Sequence, residues 1–511
     1  MKMTTNLDRI RDPRLHDLIV TAEEAASWIK DGMTLGLSGF TKCGDAKAVP
    51  HALVKRAENE TFKVNVLTGA SLGADVDTKM AEAGIINKRT PFQADPVMRK
   101  SINSGDMFYT DIHLSQLAEM VRQNTITDGI DFAILEAVAI TEDGLIIPTT
   151  SVGNNNIFAE YAKNIIVEVN LSHVQALEGI HDIYTPGEQG SRKAIPLENA
   201  SDRIGSKGIK VDIDKIKGIV ITNWPDSPSA MVPPDAETQD IANHLLDFLR
   251  AEIKKGNLTE KLAPIQSGVG SVANAVLDGM LDSEFEDLEV YSEVLQDAMF
   301  DLIDAGKVNF ASASSFTLSK EKMNTVFGNF DKYADKIILR PQEVSNHPEL
   351  IRRMGLIAIN TALELDIYGN VNSTHVSGAR MMNGIGGSGD FARNARIAIF
   401  VTKSIAKDGK ISSIVPFVSH VDHTEHDVDV IVTEQGYADL RGMAPRQRVE
   451  AIITNCVHPM YKKQLWDYYT EALTKGGQTP HVLEKAFEMY TNFAKTGTML
   501  LEEKSTTEQK A

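Results

Sequence analysis

The sequence predicts an α/β protein made of two similar parallel-sheet units joined in one chain. Three observations carry this expectation. Short apolar runs alternate with amphipathic helices from Thr21 onward, a βαβ rhythm. The chain has 511 residues, too many for one ordinary core. The second half also retells the first, since PIQSGVGSVANAVLDG and GLSGFTKCGDAKAVPHAL are each a strand end, a small-residue loop and a helix.

In order, Thr21 caps a helix over TAEEAASWIKDG, with Glu24 three residues on and Gly32 at its end. MTLGLSGF reads as a strand leading into a glycine loop and a helix. Phe62 to Leu67 is a strand that runs into TGASLG. Phe132 to Ala139 and Leu145 to Pro148 are strands joined by a TEDG turn. SVGNNNIFAEYAK is a loop entering a helix, and Asn164 to Val169 is a strand. EGIHDIYTPGEQGSRKAIPLEN is turn-rich and has no clear assignment; LENASDRIG reads as an excursion packed on the core. NWPDSPSAMVPPD holds four prolines in 13 residues, and Pro233 and Pro234 cannot extend a helix. This marks a linker at 225–235 between a first domain, 1–224, and a second, 236–511. Helix AETQDIANHLLDFLRAEIKKG follows.

In the second half DLEVYSEVLQD takes the place of KVNVLTGASLG. IAINTALELDIYG takes that of FAILEAVAITEDG, and ARIAIFV that of AKNIIVEV. From Arg446 the chain reads as helical, and LEEKSTTEQKA as a frayed end.

With 52 basic and 70 acidic residues the formal charge is −18, which argues against nucleic acid as a partner. Cys43 and Cys456 give no disulfide framework, so reduced thiols are expected. There is no 18-residue apolar run, and MKMTTNLDRIRDPRLHD lacks the apolar core of a signal peptide. A cytoplasmic protein with no membrane partner is the expectation.

The chemistry centres on LEVYSEVLQDAMF, Leu288 to Phe300, which reads as a strand passing into a helix with Glu293 at the changeover. Open α/β folds meet their ligands at the carboxyl ends of strands. Glu293 is therefore either a reactive carboxylate or the cap of the following helix. The first copy has Gly69 or Ala70 at this place, so the glutamate is not needed to build the unit.

Ser267, Gly268, Val269 and Gly270 precede a helix, where their N–H groups either cradle an anion or make a tight turn. Gly384, Gly386, Gly387 and Ser388 lie in NGIGGSGDFARNA, ahead of a capping-type Asp390. Clustered glycine is entropically costly, so it serves either to turn the chain or to bring a ligand onto bare backbone. Neither loop is a dinucleotide or Walker fingerprint. Asn346 follows the strand DKIILR as an amide donor or turn former, and Glu434 ends the VIVTE strand as Glu293 ends its own.

His420, His423 and His426, with Asp422, Glu425 and Asp427, read as an exposed polar loop or a metal set; no HExxH is present and no metal is expected. His113 and His181 earn no role from spacing, and no Gly-x-Ser-x-Gly elbow occurs. A carboxylate in a dry site beside oxyanion donors can attack an activated acyl group and expel a thiolate. If the thiolate returns to the anhydride, a glutamyl thioester results.

SGFTKCGDAKAVP, EAVAITEDG, QSGVGSVANAVLDG, YSEVLQDAM, PQEVSN, MMNGIGGSGDFARN, HVDHTEHD and VTEQGYADLRG together resemble the acetyl-CoA hydrolase/transferase family over nearly the whole chain. The resemblance implies two similar CoA-transferase-like domains with the active site between them. It makes Glu293 the nucleophile and gives the oxyanion to backbone N–H groups near Val269, Gly270 and Gly387. Asn346 and Glu434 would organise the small-acid site, and coenzyme A would lie along the interdomain cleft.

The implied substrates are acyl-CoA and short carboxylates such as acetate and succinate. The thioester is a substrate, so no cofactor is expected, and the implied assembly is a homodimer. Exchange between succinyl-CoA and acetate is the expected reaction. Hydrolysis, another acid pair such as propionyl-CoA and succinate, and a non-catalytic sensor are the alternatives.

Overall fold

The computed structural model describes residues 7–229 and 233–502. Part of the expected linker, 230–232, and the end of the chain from residue 503 lie outside the described residues. The first sheet contains β1 (Thr34–Leu37), β2 (Val64–Leu67), β3 (Ile86–Thr90), β4 (Phe108–Tyr109), β5 (Ile130–Ile140), β6 (Ile146–Pro148), β7 (Ala162–Asn170) and β8 (Ile216–Thr222). Their order is β4-β3-β2-β1-β5-β7-β8, with β6 antiparallel to β5. The apolar run of β5 is buried along nearly its whole length, as a strand covered on both faces must be.

The second sheet contains β9 (Ile265–Ser267), β10 (Leu288–Tyr291), β12 (Val308–Ala313), β14 (Ile337–Leu339) and β15 (Ile357–Thr361), followed by Ile397–Val401, Val430–Thr433 and Gly436–Asp439. Two short strands, β11 (Val294–Gln296) and β13 (Ser315–Thr317), pair apart from it. The order is β14-β12-β10-β9-β15, then those last three strands in turn. Segments matched in the sequence take matching places: β2 with β10, β5 with β15, and β7 with Ile397–Val401.

Local signals hold where caps are explicit. Thr21 accepts the Glu24 N–H at 3.1 Å, although the α-helix stops at Ser27, short of Gly32. Asp235 and Thr238 form a capping box on the 19-residue helix Ala236–Lys254.

One expectation fails at the central stretch. β10 does not pass directly into a helix; the three residues of β11 intervene, and the helix starts at Asp297. Strand pairing with β13 overrides the helical spacing of Val294 and Leu295 there.

The unassigned segment joins the halves. Ile195, Leu197 and Ala200 pack with Tyr291, Val344, Leu350 and Ile351 of the second half. Asp182 pairs with the buried Arg340, whose guanidinium also donates to the Ala200 carbonyl at 3.1 Å.

The first half holds a buried ionic cluster. Lys47 Nζ lies 3.2 Å from Asp45, 3.0 Å from Glu136 and 3.2 Å from Asp226. His173 adds a contact to Glu136 at 3.1 Å. Burial alone would raise the Glu136 carboxyl, yet Lys47 and His173 outweigh it and hold it down to about 2. Glu136, His173 and Asp226 are close enough together to hold a cation, and the Lys47 ammonium sits among them.

Removing one member of such a set leaves uncompensated buried charge. Lys47→Met is expected to cost roughly 3–5 kcal/mol, read as a lower urea midpoint. An unchanged midpoint would mean that the cluster does not need its ammonium.

Both cysteines are free and buried. Among the described residues no helix is long and apolar enough to cross a membrane.

Candidate active site

Glu293 stands in the break between β10 and β11. The break is fixed by backbone. Ser292 donates its N–H to Ser312 O at 2.9 Å, and Glu293 O accepts the N–H groups of Ser314 and Ser315 at 2.8 and 3.1 Å. Asn346 Nδ2 donates to Glu293 Oε1 at 3.1 Å. Asn346 is fully buried at the end of the short helix Gln342–Ser345, and its Oδ1 accepts from Ser345 Oγ at 2.8 Å.

The carboxyl rests on the backbone of Gly387. A Cβ at that position would fall 2.3 Å from Glu293 Cδ and Oε2. The helix-cap reading of Glu293 is overturned, because Gln296 is the N-cap of the helix Asp297–Asp304.

Burial pushes the Glu293 carboxyl up to about 7; the nearby Asp390 charge adds to the rise, and the Asn346 hydrogen bond opposes it. Asp390 does not cap. It lies inside the helix Ser388–Asn394, whose N-cap is Gly387, and it accepts the Ser115 N–H at 3.0 Å and Ser115 Oγ–H at 2.5 Å. Burial pushes its carboxyl up to about 6.

The other loop glycines also sit under side chains. Gly384 has no room for a Cβ beside Tyr109 Oη, and Gly389 has none beside the His113 ring. Asp111 accepts the Ile385 N–H at 2.8 Å. Close approach of the protein's own side chains therefore explains Gly384, Gly387 and Gly389. Gly386, with φ of +61°, is the residue here that turns the chain through the left-handed region.

The loop Ser267–Gly270 adjoins the glutamate's own segment. Ser292 Oγ donates to Ser267 O at 3.2 Å, and Gln296 Nε2 donates to Gly268 O at 2.8 Å. Gly270, with φ of +135°, opens the helix Ser271–Leu281, and Val269 is half exposed.

Glu434 does end its strand, but it bonds Ser404 through the backbone N–H at 2.8 Å and through the hydroxyl, rather than reaching Glu293. Beside Ser404 is a cavity of about 520 Å³ lined by Ser271, Val272, Thr361, Lys403 and Lys407. It opens at the ends of β15 and Ile397–Val401 and at the start of the helix after Gly270. Glu237 and Asp408 line it as well, and the Lys403 ammonium is paired with Asp235 and with Glu237 at 2.8 Å; the sequence analysis singled out neither lysine.

The exposed-loop reading of the histidine run fails at His423. His420 and His426 are exposed, as an open polar loop requires, but His423 is buried, with Nε2 3.1 Å from Ser388 Oγ and 3.3 Å from Ser373 Oγ. Burial holds its ring down to about 4.

A carboxyl seated in this way is equipped for acyl transfer on an α/β scaffold, and similarity to known proteins gives the same class. The acetyl-CoA hydrolase/transferase N-terminal domain matches residues 5–225 and the C-terminal domain of that family matches 323–469. The chain belongs to the acetyl-CoA hydrolase/transferase family, a family of enzymes.

It is 52% identical to a succinyl-CoA:acetate CoA-transferase of Clostridium kluyveri, covering 96% of this chain and 92% of the relative. It is 42% identical to a propanoyl-CoA:succinate CoA transferase of Escherichia coli, covering 94% and 98%. An acetyl-CoA hydrolase of Schizosaccharomyces pombe is 43% identical, covering 97% and 98%. The fold resembles RipA from Yersinia pestis, with a TM-score of 0.69 at 21% identity over 89% of this chain and 97% of that one.

Proposed function

We propose that the protein transfers CoA from succinyl-CoA to acetate by way of a thioester on Glu293. The observation that carries this reading is the Glu293 carboxyl itself, desolvated and held between Asn346 and the bare backbone of Gly387. Glu293 attacks the succinyl carbonyl, and N–H groups of Val269, Gly270 and Gly387 receive the developing oxyanion. CoA leaves as thiolate and attacks the mixed anhydride at the glutamyl carbon, giving glutamyl-CoA and free succinate. Acetate then attacks the glutamyl thioester, and the expelled thiolate takes the acetyl group and frees Glu293. Ping-pong kinetics follow from this order.

The matching order of the parallel strands in the two sheets supports a duplicated unit, with domains at 1–224 and 236–511 on either side of the proline-rich linker. Ala70, which takes the place of Glu293's neighbourhood in the first copy, packs with Phe40, Leu114 and Val294. The strand ends of the two copies therefore meet around the glutamate, which favours a site between them. Of the two lysines beside the Ser404 cavity, Lys403 is already paired with Asp235 and Glu237, which leaves Lys407 as the cation there that suits a phosphate of CoA. Glu434 then acts indirectly, by fixing Ser404 beside that cavity. A cytoplasmic homodimer is the matching assembly.

The acid pair follows the most similar of the relatives described above. Likeness to acetyl-CoA hydrolases keeps water as the competing acceptor. The two are separated by feeding succinyl-CoA with and without acetate while following acetyl-CoA and free thiol independently. Acetyl-CoA formed only with acetate, with little thiol, is the expected result. Thiol released at the same rate without acetate would replace this reading with hydrolysis.

The ionised carboxylate is the attacking form. The sign is therefore that kcat/KM for succinyl-CoA falls about tenfold per pH unit below a value of about 7. A profile flat down to pH 5 would contradict a nucleophile with a raised carboxyl.

A further inference from the structure

Gly387 belongs to a turn that is soft by composition. Gly386 and Gly387 are consecutive, and glycine is the most conformationally free residue. Contacts from outside must fix such a turn if Gly387 is to present a backbone group in one place. Ser388 closes it: its hydroxyl donates to the Ile385 carbonyl at 2.8 Å. Asp111 holds the Ile385 end by accepting its N–H at 2.8 Å. The Ser388 end meets Nε2 of His423, 35 residues further along the chain, at 3.1 Å.

A hydroxyl has one proton to give, and this fixes the direction of the last bond. Ser388 gives its proton to Ile385. The Ser373 hydroxyl, 3.3 Å from the same Nε2, donates to Asp422 Oδ2 at 3.4 Å. Nε2 must then carry the hydrogen and donate it to Ser388 Oγ. Nδ1 is left bare, and it is buried with no hydrogen-bond partner among the described residues. The ring is anchored for this task. His423 is 1% exposed, its backbone exchanges hydrogen bonds with Val371 at 2.8 and 3.1 Å, and its ring packs on Phe400 of the strand Ile397–Val401.

We propose that His423 is a positioning residue for CoA transfer: as the Nε2–H tautomer it fixes Ser388, and through Ser388 the turn that presents the Gly387 N–H. This role rests on the proposed use of that N–H as an oxyanion donor. His423 acts through Ser388 and takes no proton in the reaction. An oxyanion donor acts in the transition state, so a displaced one lowers kcat and leaves KM little changed.

Three substitutions separate donation from packing. His423→Gln can set an amide N–H where Nε2–H stands. His423→Asn reaches only as far as Nδ1, and His423→Leu fills space without a donor. The expected kcat is within about twofold of wild type for Gln and roughly tenfold below it for Asn and Leu, with KM little changed. A residue that mattered only as packing would give the reverse order, Leu above Gln, because Gln would bury an unpaired amide. Ser388→Ala is expected to lower kcat by a similar factor and, combined with each variant, to erase the advantage of Gln over Leu.

Hydrogen exchange at the amides of residues 385–388 needs no turnover. It is expected to keep the same order, slow in wild type and Gln, faster in Asn and Leu. His423→Leu matching His423→Gln in kcat and exchange would overturn the proposal, as would a Gln advantage that survives Ser388→Ala. Should the buried substitutions fail to fold, Ser388→Ala at a half-buried hydroxyl decides alone, and wild-type kcat and exchange there would overturn the proposal. If the wild-type protein transferred no CoA, the nucleophile reading would fall, and the exchange order would still judge His423.

Discussion

Glu293→Ala and Glu293→Gln are each expected to lower kcat/KM for CoA transfer by at least ~10⁴-fold, because a covalent route disappears rather than weakens. Glutamine keeps the shape and the contact with Gly387, so its failure would isolate the attacking oxygen. Misfolding is not the expected cause, and the sign of the linkage says why. The Glu293 carboxyl is raised to about 7 in the folded protein, above its ordinary 4.5. It therefore favours the native state at low pH and costs stability as pH rises through that interval. Glu293→Gln should accordingly melt no lower than wild type at pH 8, and somewhat higher. Thermal denaturation at pH 5 and pH 8 reads this directly. A fully active Glu293→Ala would end the covalent mechanism.

Gly387→Ala is the second large effect. The residue has φ of −87° and ψ of −4°, which alanine adopts without strain. The cost is confined to contact, since the new Cβ would sit 2.3 Å from the Glu293 carboxyl carbon and 2.4 Å from Oε1. The carboxyl must move by an ångström or more, a displacement that can cost about 10²-fold in rate. The expected outcome is a fall of that size in kcat with stability little changed. A normal rate in Gly387→Ala would mean that Glu293 reacts from a different position.

These variants probe features of unequal legibility. The repeated order of strand, loop and helix was readable because period and burial are local properties of the chain, and both sheets follow it. Glu293 was readable as an acid at a strand end that the first copy lacks. The short β11 was not, because Val294 to Gln296 pairs with Ser315 to Thr317, and that partner is set by the sheet rather than by spacing. The glycines of NGIGGSG were readable as costly and therefore purposeful, but their purpose was not. The groups that press on them, Tyr109 and His113, are far away in the chain.

His423 shows the same limit. One histidine in a run of three is buried because its backbone pairs with Val371 and its ring packs on Phe400, with Nε2 against Ser388 and Ser373.

The sequence by itself determined the α/β class, the recurring order of strand, loop and helix, the family, and a short set of candidate groups, since these depend on residue type and on spacing within one element. Tertiary structure alone decided which candidates meet. It seated Glu293 on Gly387 beside Asn346, turned Glu434 toward Ser404, and brought Ser115 to Asp390 across 275 residues. The physical reason is that a hydrogen bond or a close contact depends on position to a fraction of an ångström. Sequence spacing carries that precision along one helix or strand and loses it once the chain turns.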